Sequence, residues 1–401
     1  MFLFYYIKKY ERHTTSDIKK TSMIILLLSI ILLLVDHPLE IASFSPRILN
    51  SNNFLPSYTR LNAVVTKSQP VYLPDLSQPA FPVPPEEGYD LVVLGSGPGG
   101  ESIATHAAKL GARVAVIEKK AAFGGPTGLS SKAVREATKR ITSAIDQIGG
   151  DRRKQIRGLW KRKFPILKTA AEAWQAVESR ERLRKCGCDL YIGSAELLPS
   201  FEKGVTKTII RVCRPSGCIE LESFHVCIAT GSRAHQPNEV REGVPIEFIK
   251  GLIVDATEIS SITNLPKAIV IIGGGVIAVE YATVYAELGV GVTLICPENA
   301  LLPFIEKDLR QSLINRMKKN HILIVHDDIK EISVINATST TNATPSVKVA
   351  MVPDPKRPNV QRIFTVDLLV YSGGRDANSE SMGLENLNIL TKKYGQIAVS
   401  I

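Results

Sequence analysis

Two glycine clusters set the chemistry open to this chain. The first, Gly95-Ser96-Gly97-Pro98-Gly99-Gly100, directly follows the apolar run 91–94, and the second, Gly273-Gly274-Gly275-Val276-Ile277-Ala278, directly follows 268–272. In a strand–turn–helix unit the first glycine permits a tight turn, the second lets a pyrophosphate approach the backbone, and the third lets the helix approach the sheet. The helix N-terminus then offers free N–H groups and the positive end of its dipole to the phosphates. Gly95, Gly97 and Gly100 are therefore candidate contacts to one dinucleotide, and Gly273, Gly275 and Val276 to a second, with Ala278 in a third position that tolerates alanine. Two such units in order predict a protein that holds two dinucleotides at once.

The strands that follow each cluster carry the specificity. After the first, the run 113–117 ends in Glu118, placed to accept hydrogen bonds from both hydroxyls of an adenosine ribose and to repel a 2′-phosphate. This favours FAD or NAD over NADP there. After the second, 292–295 is followed by Cys296-Pro297-Glu298. A neutral Cys296 stands where an acid would select NAD, Glu298 is displaced by two positions, and no Arg or Lys is close by. NAD is slightly favoured, and use of both nucleotides stays open. Small residues at Ala104, Ala107 and Ala108 let the first helix lie close to its sheet.

Further motifs occur between and after the clusters: Phe123-Gly124-Gly125, Ser131-Lys132, Ala229-Thr230-Gly231-Ser232, Glu280 and Gly373-Gly374-Arg375. From Tyr89 to the last residue, their order resembles that of the pyridine nucleotide–disulfide oxidoreductases, most closely the soluble transhydrogenase branch. The resemblance implies an α/β fold of two Rossmann-like domains, the NAD(P) domain inserted in the FAD domain. It implies FAD on the first cluster, with Gly124, Gly125, Thr230, Gly231, Ser232, Gly374 and Ala195 of Gly193-Ser194-Ala195 as further contacts. NAD(P) is implied on the second. Lys132 and Glu280 match the family's catalytic pair beside the flavin N5, where a fixed cation stabilises the negative charge of reduced flavin.

The departure from the family is as informative. Its disulfide reductases carry a C-x-x-x-x-C pair between the glycine pair and Ser-Lys. This chain has Pro126-Thr127-Gly128-Leu129-Ser130 there, with no cysteine and no room for the pair. Without a thiolate beside the flavin, disulfide reduction is excluded. Cys213 and Cys218 share the spacing, but Pro215-Ser216-Gly217 between two β-type runs makes them hairpin residues, expected as structural thiols in a reducing compartment. Cys186, Cys188, Cys227 and Cys296 form no metal-ligand pattern, so no metal is expected. The expected activity is hydride transfer between NAD(P)H and NAD(P)+ through FAD. The alternatives are an NAD(P)H dehydrogenase with a quinone or other acceptor, a dihydrolipoamide dehydrogenase-like homologue without disulfide chemistry, or a non-catalytic flavin-fold binding protein.

Composition bounds the rest. The 401 residues are 44% apolar with a formal net charge of +10. Much of that excess lies in 151–185, read as an amphipathic helical hairpin with a solvated face rather than a nucleic-acid surface. Residues 1–88 read as a targeting leader and linker, 89–257 as the first part of the FAD domain, 258–376 as the NAD(P) domain, and 377–401 as the start of a return to the FAD domain. The apolar run 23–35 after Lys19 and Lys20 suits a signal peptide, and the acid-free stretch after it suits a transit peptide. The tandem resembles a bipartite plastid leader, with a membrane signal anchor or mitochondrial targeting as alternatives. The mature chain is expected to have no stable membrane insertion. By the resemblance, the family's second FAD-contacting strand, dimerisation domain and C-terminal His-Glu pair would lie beyond residue 401. A homodimer is thus expected only of a longer product, and the apolar residues around Val92 and Ile228 would be incompletely covered.

Overall fold

A computed structural model describes residues 81–120, 122–125, 130–146, 151–199, 207–297, 300–335, 344–355 and 359–399, and the backbone alone at 130–133, 144 and 146. The expected leader and most of the linker, residues 1–80, lie outside the described residues. So do Pro126, Thr127, Gly128, Leu129 and Glu298.

The unbroken apolar runs become parallel strands covered on both faces, as such runs must. The first sheet contains β1 (Tyr89–Leu94), β2 (Val114–Glu118), β3 (Asp189–Ile192), β4 (Ser194–Leu198), β5 (Thr208–Arg214) and β6 (Gly217–Ile228), in the order β3-β2-β1-β6-β5-β4. The strands β3, β2, β1 and β6 run parallel, with Leu91 opposite Val114 on one side and His225 on the other. The long β6 serves twice: up to Ser223 it pairs antiparallel with β5, and from Ser223 onward it pairs parallel with β1. Between strands run α1 (Pro98–Lys109), α2 (Ser130–Asp146) and α3 (Arg152–Lys185), one continuous helix of 34 residues rather than the helical hairpin expected of 151–185.

Side chains alternate across this sheet. Val93, Val114 and Val116 meet Ala104 of α1, Phe123 and Leu183 of α3. Val92, Leu94, Ala115 and Ile117 meet Leu197, Ile210 and Leu221, together with Met382 and Leu384 from the returning chain. Val92 is fully buried, contrary to the expectation of incomplete cover. The reason is the return of 382–384, held by a Leu197 N–H bond to the Met382 carbonyl. Ile228 is half-buried, and no described strand pairs with the outer edge of β6 beyond Ser223.

The chain leaves through β7 (Ser232–Ala234) and a small hairpin of β8 (Glu239–Arg241) and β9 (Val244–Pro245). It then builds a second parallel sheet from β10 (Ile253–Asp255), β11 (Ala268–Ile272), β12 (Gly291–Ile295) and β13 (Leu323–Val325). An antiparallel meander follows, β14 (Ile329–Ile335), β15 (Ser346–Met351) and β16 (Ile363–Val366), before β17 (Leu368–Tyr371) completes the sheet in the order β10-β17-β11-β12-β13. The second sheet thus begins at Ile253, ahead of the boundary expected at 258. The chain returns through β18 (Arg375–Ala377), which pairs antiparallel with β7.

One face of the second sheet (Val270, Leu369) packs on the meander, and the other (Ile269, Ile271, Val292, Leu294) on α4 (Val276–Glu287), α2 and α3, with α5 (Lys307–Lys319) alongside. α3 spans both halves. Its Trp160 is fully buried among second-sheet residues, stacked 4.0 Å from Phe164 and donating to the Ile262 carbonyl. Leu183, near its other end, lies under the first sheet. Trp160 is thereby unavailable to stack a base. Among the described residues, no helix is long and apolar enough to cross a membrane.

Candidate dinucleotide sites

The glycines of the first cluster have separate duties. Gly95 turns at φ +102, and a Cβ there would lie 2.5 Å from the Ala229 carbonyl oxygen. A Cβ on Gly100 would lie 2.0 Å from the Gly95 carbonyl oxygen, so α1 can approach β1 only without one. At Gly97 and Gly99 a Cβ would meet nothing within 4 Å. That open space faces the N-terminus of α1, whose N-cap Gly97 supplies no side-chain cap. Backbone N–H groups without a side-chain cap, beside open space, are what an anion such as a pyrophosphate requires.

Glu118 ends β2 beside this turn. Its carboxylate accepts from the Ser96 amide at 3.0 Å and the Ser96 hydroxyl at 2.6 Å. Ser96, fully buried, also accepts from the Gly124 amide, at both its hydroxyl and its carbonyl oxygen. It fixes the Glu118 carboxylate and the glycine pair to one point. A serine inside a glycine turn is too common for the sequence to have marked it as the hub. Gly124 and Gly125 both have positive φ, and a Cβ on Gly125 would lie 3.2 Å from the Gly97 Cα. The Gly193 amide donates to the Glu118 carbonyl, which brings Ala195 on β4 to the same end. Gly95, Gly97, Gly100, Glu118, Gly124, Gly125 and Ala195 therefore belong to one neighbourhood.

Thr230, Gly231 and Ser232 leave β6 nearby. The Asn378 side chain donates to the Thr230 carbonyl, and the Gly231 carbonyl accepts from the Asn378 amide. Arg375 donates to both the Ser232 hydroxyl and its carbonyl. Gly374, at φ +159, directs Arg375 onto this loop. Asn378 carries no signal in the sequence, because its role depends on the β7–β18 pairing.

The second cluster repeats the design. Gly273 turns at φ +134 with a Cβ position 2.4 Å from the Ser372 carbonyl oxygen, whereas at Gly275 a Cβ would meet nothing within 4 Å. Gly275 caps α4 without a side chain, Val276 is 56% exposed on the same surface, and Ala278 is fully buried against the sheet. The turn is braced by Leu302, a buried residue at φ +47 whose amide donates to the Gly274 carbonyl. Cys296, expected at the ribose-reading position, instead points into the core, where burial pushes its thiol up. Its carbonyl bonds the exposed His326 at 3.0 Å, which the sequence reading missed.

Glu280 on α4 pairs with Arg135 of α2 at 3.3 Å. Lys132, the expected partner, lies one turn earlier on α2, and its side chain is outside the described residues. Arg135 carries no motif, and only the packing of α2 against α4 reveals it. One expectation is corrected outright. Cys213 and Cys218 are joined in a disulfide with Cα atoms 4.1 Å apart, not free thiols. They sit directly opposite in the β5–β6 register, which places their side chains on one face of the hairpin. Among the described residues, no cluster of ligating side chains could hold a metal.

Two sheets, the first with a parallel portion and the second parallel throughout, each lead into a glycine turn at a helix start with no side-chain cap. The chain belongs to the pyridine nucleotide-disulphide oxidoreductase family, whose model matches residues 89–400. Members of this family are generally enzymes and typically bind FAD and NAD(P). The chain is 29% identical over 327 residues to the soluble pyridine nucleotide transhydrogenase of Pseudomonas putida (strain W619), and 28% identical over 322 residues to that of Pseudomonas aeruginosa (strain LESB58). These alignments cover 78% of this chain and 62% of each relative, so the chain spans less than two thirds of their length. Its fold is similar to that of the HOCl-induced flavoprotein disulfide reductase RclA from Escherichia coli (TM-score 0.55, 22% identity, 78% of this chain and 62% of that one). It is also similar to that of LpdA from Mycobacterium tuberculosis (TM-score 0.58, 21% identity, 76% and 62%).

Proposed function

We propose that the first cradle holds FAD, the second a nicotinamide nucleotide, and that the protein moves hydride between nicotinamide nucleotides. The observation that carries this reading is the pair of unfilled positions at Gly97 and Gly275, each at a helix start with no side-chain cap. The residues present fit both groups. Glu118, oriented by Ser96, would hold a ribose that lacks a 2′-phosphate, and the Gly97 and Gly125 backbones would border the pyrophosphate. FAD, if bound there, would supply a two-electron carrier between nicotinamide nucleotides. The chain's own part is to position and exclude. Arg135 holds Glu280 on α4, the helix whose start at Gly275 would receive the second nucleotide. Arg375 and Asn378 fix the loop 230–232.

The choice of acceptor rests on the missing cysteine pair before Lys132. The one disulfide among the described residues lies in the β5–β6 hairpin, with Cys213 opposite Ser194 in the strand register and far along the chain from Lys132. The test is transfer from NADPH to an NAD+ analogue by flavin-loaded protein, run beside a quinone arm. Quinone reduction without nucleotide-to-nucleotide transfer would replace this reading with that of an NAD(P)H dehydrogenase.

A further inference from the structure

The second sheet carries another concavity at the end opposite its glycine cradle. Lys267 directly precedes β11 and Gly291 opens β12, whereas Gly273 and Gly275 follow the far end of β11. A five-residue strand separates the two ends by roughly 17 Å. The open cleft there has a volume of about 580 Å3, within the range of small-ligand sites. It is walled by the start of α3 (Asp151, Arg153, Lys154, Arg157) and by Lys267, Gly289 and Gly291.

Its charge is lopsided. Four cations line it with one carboxylate, Asp151, which is already engaged as the N-cap of α3, accepting from the Lys154 amide at 3.2 Å; a second carboxylate, Asp367, stands behind Lys267 and accepts from the Lys267 and Ala268 amides. Among the described residues no carboxylate forms an ion pair with Arg153, Lys154, Arg157 or Lys267. Farther along the same helix three cations have carboxylate partners: Lys168 pairs with Glu172, Arg182 with Glu101 and Glu178, and Arg184 with Glu181. Like charges gathered within a Debye length (~10 Å) repel, and a bound anion relieves the repulsion. Gly289 and Gly291 leave that rim without side chains; Gly289 lies beside the Arg153 stem, to which a Cβ would approach within 3.6 Å.

We propose that this cleft binds a small oligophosphate, an anion with at least two phosphate groups. Arg153 offers a forked guanidinium, Arg157 the donors left beside its bond to the Pro266 carbonyl, and the lysines point charges, a combination suited to phosphate oxygens. The site goes beyond the proposed hydride transfer and shares no residue with either cradle. One wall is α3, whose far end lies under the first sheet, and the other is the edge of the second sheet. An occupant would therefore hold the start of α3 to the edge of the second sheet and stabilise the folded chain.

The experiment uses the full chain with tripolyphosphate as probe, at low salt, followed by calorimetry and thermal unfolding. Saturable binding and a raised melting midpoint are expected, weakening as salt is added. The double variant Arg153→Gln/Lys267→Gln should bind at least about tenfold more weakly and keep the parental affinity for NADH, which shows that it has folded. Lys154→Gln, an exposed single change, should show a smaller loss. The proposal is overturned if the full chain does not bind tripolyphosphate, if the variants bind it as the parent does, or if NADH displaces it. It is also overturned if single-stranded RNA binds far more tightly through the same residues, since the ligand would then be a nucleic acid.

Discussion

Gly97→Val separates folding from cofactor binding. Gly97 has φ −61 and ψ 177, a conformation open to any residue, and a Cβ there meets nothing within 4 Å. The apoprotein should lose no more than about 1 kcal/mol, the scale of a poorer N-cap. The valine side chain would occupy the space the pyrophosphate needs. Holding the phosphates off the helix forfeits two or more charge-assisted hydrogen bonds at ~1.5–3 kcal/mol each, which weakens FAD binding by about 10²–10⁴-fold. Gly100→Ala is the counter-experiment. Its Cβ would lie 2.0 Å from a backbone oxygen that cannot move cheaply, so stability itself should fall by ~1–3 kcal/mol or more. The assay is FAD titration of each apoprotein beside its urea midpoint. Parental flavin affinity in Gly97→Val would refute the placement of the site.

Three more outcomes follow from the same geometry. Cys213→Ser should leave flavin reduction by NADH unchanged and, by opening a short disulfide loop, lower stability by about 2 kcal/mol in urea; a loss of turnover in the folded variant would return the cysteines to the chemistry. Burial pushes the Cys188 thiol up from 9.0 to about 11. The stability this contributes is full below pH 9.0 and lost as the pH rises through about 11, so alkylation of Cys188 at pH 8 in the folded chain would contradict its burial. Glu280→Gln and Lys132→Met should each slow flavin reduction at least about tenfold, and unchanged stopped-flow rates in both would demote them to ordinary helix residues.

The glycine turns were legible because their backbone demands admit almost no other residue. Gly95 and Gly273 need positive φ, and Gly100 needs the absence of a Cβ. The strands were legible as apolar runs. What stayed hidden depends on contacts between distant segments. Ser96 is a hub only once Glu118 and Gly124 are folded onto it. Arg135 differs from Lys132 by one helical turn, and only the approach of α4 makes it the partner of Glu280. The Cys213–Cys218 bond turns on strand register, which spacing alone leaves open. Cys296 misled because its position in the chain says nothing of which face of β12 it follows. The strand β10 is three residues long and carries no motif, so the start of the second sheet was placed late.

The most direct test of the central claim is an anaerobic titration of the flavin-loaded protein with NADH and, separately, NADPH, with the visible flavin absorbance as the readout. Two cradles that serve hydride transfer predict stoichiometric bleaching by at least one nucleotide and recovery of the oxidised spectrum when the oxidised form of the other is added. A protein that holds flavin but is bleached by neither nucleotide at saturation would contradict the account.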